Sequence, residues 1–74
     1  MQLDNNGQFP IKTEFGRFTV IWIETQIDDE GNTIFTAWLK EKNGIIVESE
    51  SIEDVIEDIK KSLWIFNDYE NKHL

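Results

Sequence analysis

Both parities of residues 18–27 carry large apolar side chains. Phe18, Val20 and Trp22 alternate with Ile21, Ile23 and Ile27. Successive side chains of a β-strand point to opposite faces of its sheet, so a sheet built on this stretch is apolar above and below. Its β-branched and aromatic residues suit a pleated surface, and it is read as the first main strand. Residues 33–41 form the second strand, with Ile34, Phe35, Ala37, Trp38 and Leu39, and residues 45–48 return as a third.

The connections carry turn chemistry. Asp28-Asp29-Glu30-Gly31-Asn32 joins the first two strands. Its acids resemble a calcium loop but lack the twelve-residue span and closing glutamate, so they read as solvated turn residues. Asn43-Gly44 is the strongest hairpin signal, because both residue types accept the left-handed backbone of a type I′ turn. Ahead of the meander, residues 1–14 form an N-terminal arm. Its polar start contains Asn5-Asn6-Gly7, and Phe9-Pro10-Ile11 suits a short edge segment, proline being excluded from central strands.

A helix begins at Ser51, where Ser51-Ile52-Glu53-Asp54 matches a capping box. Acids crowd its first two turns, where the helix dipole favours them, and Lys60 and Lys61 come later. Ile52, Val55, Ile56, Ile59, Leu63 and Phe66 recur at three- and four-residue spacing and make one apolar stripe. The expected fold is therefore α+β, one domain over residues 1–74. It comprises a three-stranded antiparallel β-meander over 15–48, one amphipathic helix over 51–69 on one face of the sheet, and a frayed tail over 70–74.

With Glu30-Gly31 and Asn43-Gly44 as two-residue turns, Ile21, Ile23, Ile27, Ile34, Trp38, Ile45 and Val47 share one face. Phe18, Val20, Trp22, Phe35, Ala37, Leu39 and Ile46 share the other. One helix covers one face. Either the N-terminal arm folds over the second, or another molecule does. Trp64 and Ile65 fall well off the helix stripe on opposite sides. Trp22, Trp38, Trp64 and Ile65 are accordingly the candidate partner-interface residues.

Composition points the same way. A chain of 74 residues removes only about 60% of its unfolded surface from water and commonly needs a further staple. Disulfides are excluded, since there is no cysteine, and a zinc site is poorly served by one histidine, His73. Association remains, a homodimer being the simplest form. The net charge of −8 disfavours a nucleic-acid backbone and favours a basic protein partner. No basic start followed by an apolar core marks a signal peptide, and no run is long enough to span a membrane, so a cytoplasmic location is expected. No nucleophile–base arrangement or Gly-rich phosphate loop occurs, so neither catalysis nor a cofactor or metal is expected.

Residues from Phe18 to about Phe66 resemble the HicB-like antitoxin domain. The likeness rests on Glu48-Ser49-Glu50-Ser51-Ile52-Glu53-Asp54-Val55, set against that family's glycine-x-threonine-x-glutamate-glutamate-alanine helix start, and on Asp29-Glu30-Gly31 at its first hairpin turn. The family's proline-aspartate-leucine-proline-glycine signature is replaced by Lys40-Glu41-Lys42-Asn43-Gly44, and little sequence remains for its usual fourth strand after the helix. The resemblance implies an oligomeric, non-catalytic module that neutralises a small basic toxin ribonuclease by covering it. Two other readings fit the composition: an acidic inhibitor from a mobile element that mimics nucleic acid, and a purely structural homo-oligomer.

Overall fold

The computed structural model describes residues 5–72, with side chains over 5–68; the sequence candidate His73 lies outside that range. The order is β1 (Asn5–Thr13), β2 (Gly16–Gln26), β3 (Thr33–Leu39), β4 (Ile46–Ser49) and α1 (Ile52–Lys72). Each strand pairs antiparallel with its sequence neighbour, giving one sheet ordered β1-β2-β3-β4. The architecture is α+β, a four-stranded meander with the C-terminal helix packed on it.

The three-strand expectation is corrected to four. The segment read as an arm runs as a nine-residue edge strand from Asn5, so it widens the sheet in its own plane and roofs neither face. Thr13 closes the β1–β2 turn, its Oγ1 accepting from Phe15 N–H at 3.1 Å and donating to the Gly16 carbonyl at 2.9 Å. Gly16 takes up the reversal with φ 118°. The position of Pro10 follows from its partner Thr19. The Thr19 carbonyl accepts from Lys40 N–H at 3.0 Å and its N–H donates to Glu41 Oε1 at 2.7 Å. Both Thr19 backbone groups thus face β3, so in the β1–β2 ladder Pro10 and Thr19 are a pair whose backbone groups point apart. The N–H that proline lacks would lie on the outer edge, where no ladder bond is lost.

Two turns differ from expectation, with different consequences. The β2–β3 hairpin closes at Ile27 N–H to the Asn32 carbonyl, 2.8 Å, around a four-residue loop instead of Glu30-Gly31. Asp28 organises that loop by accepting from Glu30 N–H, Asn32 N–H and Asn32 Nδ2. An even change in loop length leaves the faces unchanged. The β3–β4 connection is changed by an odd number, pairing Trp38 with Ile46 and Ala37 with Val47. Ile46 therefore joins the face of Trp38, while Val47 joins that of Ala37, reversing the expected assignment of β4. Asn43 is not at positive φ, so no type I′ turn forms; only Gly44, at φ 95°, is left-handed. The physical reason lies in β2. Lys40 and Glu41 stay bonded to Thr19, and the Thr19 hydroxyl also donates to Glu41 Oε2 at 2.8 Å.

Ser51 caps α1 as its spacing predicts. Its Oγ accepts from Asp54 N–H at 3.2 Å and its carbonyl from Val55 N–H at 3.1 Å. The helix continues to Lys72, beyond the expected end at 69. Its stripe of Val55, Ile59 and Leu63 is buried with Val20, Ala37, Leu39, Ile45 and Val47, and these form the core. Each large side chain so buried contributes about 1.5–3 kcal/mol. α1 rests chiefly on β3 and β4.

Replacing Ser51 by Ala is expected to lower stability by about 1 kcal/mol, read from urea unfolding, by leaving the Asp54 N–H without its cap. Glu41 gives a pH prediction. The Thr19 N–H and hydroxyl hold its carboxyl below the ordinary value of 4.5. A carboxyl with a depressed folded pKa stabilises fully above its unfolded pKa and loses that effect as pH falls through the folded value. The urea midpoint of Glu41→Gln should lie below that of the wild type at neutral pH, with the gap closing as the pH drops below 4.5.

Candidate interaction surfaces

The register sorts every strand side chain onto one of two sides. The helix side carries Gly7, Phe9 and Ile11 from β1, Phe18, Val20, Trp22 and Glu24 from β2, Phe35, Ala37 and Leu39 from β3, and Val47 from β4. Because α1 sits over β3 and β4, the β1–β2 half of this side lies beside the helix. Phe9, Ile11, Phe15, Phe18 and Trp22 pack against the core from there but stay half-buried. They form the floor of a trough. From α1, exposed Lys60 borders it at the hairpin end. At the hairpin end a groove of about 510 Å³ is lined by Lys12, Thr13, Glu14, Phe15 and Lys60.

At the other end of the trough, Trp22 meets Phe35 edge-to-face, centroids 5.6 Å apart at 67°. The Trp22 indole lies flat over Gly7, where a Cβ would come within 2.8 Å of the ring. Glu24 is held beside them, accepting from Asn5 Nδ2 at 2.7 Å and Thr33 Oγ1 at 3.3 Å. The groove at the hairpin end thus sets Glu14 beside Lys12 and Lys60, while Glu24 stands at the other end. Glu57 lies 3.9 Å from Lys61, an exposed pair of small energetic weight.

The opposite side holds Ile21, Ile23, Ile34, Trp38 and Ile46. The buried core residues of the strands all lie on the helix side, and α1 is there too. This open face is half-exposed to water, and Ile46 is 71% exposed. Its only charged strand residues are Lys12, Arg17 and Glu48, with Glu41 at its margin on Thr19.

The four candidates from the sequence do not form one site. Trp22 belongs to the trough floor, whereas Trp64 is 56% exposed on α1, off its buried stripe. Trp38 lies on the open face. Ile65, on the other flank of α1, joins Ile46, Gly44 and Phe66 in a groove of about 340 Å³ along the free edge of β4. Lys42 closes one end of the core with its ammonium 4.3 Å from the Phe66 ring centroid. Exposed Ile46 and the half-buried Phe9, Ile11 and Phe15 were not among the candidates, and the register of β4 and the existence of β1 decide their exposure.

Among the described residues no group of three or more His, Cys, Asp or Glu is arranged to hold a metal, and no helix is long and apolar enough to cross a membrane. Compared with protein-family models, curated proteins and solved structures, the chain matches none.

Gly7→Ala is expected to destabilise the fold by about 1–3 kcal/mol, because the new methyl must push the indole off its seat and strain its packing on Phe35. Repeating the substitution in a Trp22→Ala background should remove that loss. A double-mutant cycle in urea checks the coupling.

Proposed function

We propose that this chain is a non-catalytic protein-interaction module of the HicB-like antitoxin type, acting by covering a small basic partner. One observation carries the reading. The aromatic trough beside α1 is half-exposed, with Glu14, Lys12 and Lys60 at one end and Glu24 at the other, in a chain of net charge −8. Apolar floors with a charged rim are how proteins recognise one another, the floor supplying affinity and the rim orientation. Trp64, exposed on α1, is the anchor expected to matter most, since tryptophan is enriched among the residues that dominate binding energy.

The test is capture from an extract of the native host on the immobilised chain, followed by ribonuclease assay of the retained protein. A basic ribonuclease inhibited by the chain is expected. Trp64→Ala should weaken capture by about 2 kcal/mol, roughly 30-fold. High salt separates this from nucleic-acid mimicry: occlusion by an aromatic floor survives it, whereas carboxylates standing in for phosphates lose their partner. Failure to retain any basic protein, or retention abolished by salt and indifferent to Trp64→Ala, overturns the proposal.

A further inference from the structure

We infer that the open face of the sheet, on the side away from α1, is where a second copy of this chain docks, sheet against sheet. It is a different surface from the trough, and the inference stands or falls separately from the trough's partner. Two observations select this occupant.

The first is charge. The chain carries −8 overall, and two such molecules repel across most of their surfaces. The open face is the exception, with Arg17, Glu41 and Glu48, and Lys12 shared with the groove at the hairpin end, around an uncharged centre of Ile21, Ile23, Ile34, Thr36 and Trp38. A basic partner gains nothing there from the chain's acidity. A like-charged copy meets no excess of its own sign.

The second is the state of the edges. β1 lacks an outward donor at Pro10, and β4 offers only four residues, one of them Glu48. Both features discourage edge-to-edge pairing, leaving face stacking as the isologous contact.

Sedimentation of the full chain over a range of concentrations tests the inference. The expected result is a mass twice that of one chain, falling to that of a single chain on dilution. Thr36→Arg and Ile23→Lys place charge at the centre of the face. Each should raise the dimer dissociation constant at least a hundredfold while the far-UV circular dichroism stays native; Thr36→Arg removes no apolar side chain and decides the matter if Ile23→Lys fails to fold. Trp64→Ala, on the other side, should leave self-association unchanged. A single-chain mass at every concentration overturns the inference, as does a folded Thr36→Arg that dimerises like the wild type. Neither outcome bears on capture of a basic partner by the trough.

Discussion

An α-helix is about 10 Å across, and strands lie about 4.8 Å apart, so one helix roofs about two strands. This chain has four strands and one helix. The whole distribution of buried and exposed surface follows from that mismatch. Val55, Ile59 and Leu63 seat on Ala37, Leu39 and Val47, with Val20 filling the boundary toward β2. Ala37, wholly buried, lets the helix approach the sheet closely at the middle of the contact. Everything beyond that strip, half of one side and all of the other, is left to the solvent or to another molecule.

The parts of the fold legible in the sequence are those whose cause is local. The strand over Phe18–Ile23, the cap at Ser51 and the stripe on α1 each announce themselves within a dozen residues. β1 does not, because its inward positions are Asn5, Gly7, Phe9, Ile11 and Thr13, only two of them strongly apolar, with Pro10 between. Its turn at Glu14-Phe15 lacks the usual Asn-Gly or Asp-Gly. Gly7 looks like flexible-tail composition until Trp22, its partner across the ladder, is seen lying on it. The β4 register departs from its local signal for a related reason. Asn43-Gly44 favours a tight reversal, but Lys40 and Glu41 are already committed to Thr19, and that distant pairing overrides the local preference.

The candidate residues show the same division. Alternation correctly separated Trp22 from Trp38, and helical rotation correctly placed Trp64 and Ile65 off the core stripe. What no local rule supplies is which of these residues become neighbours. The trough exists only because β1 lies in the sheet plane and extends its floor beyond the helix. Had the same segment folded across Ile21 and Trp38 instead, the open face would have been closed and the trough narrower.

The net charge acquires meaning only when divided between the two sides. Read over the whole chain, it predicts repulsion between copies and attraction to basic proteins, without saying where. The meander divides the strand charges, because alternation sends Glu24 to the helix side and Arg17, Glu48 and the uncharged threonines to the other, while Lys12 also lines the groove at the hairpin end. Two apolar surfaces of similar kind thus differ in the electrostatic company they keep. Apolar contact alone does not discriminate between partners, so the rim charges must do so. On this sheet the two apolar surfaces lie on opposite sides, and one occupant need not exclude the other.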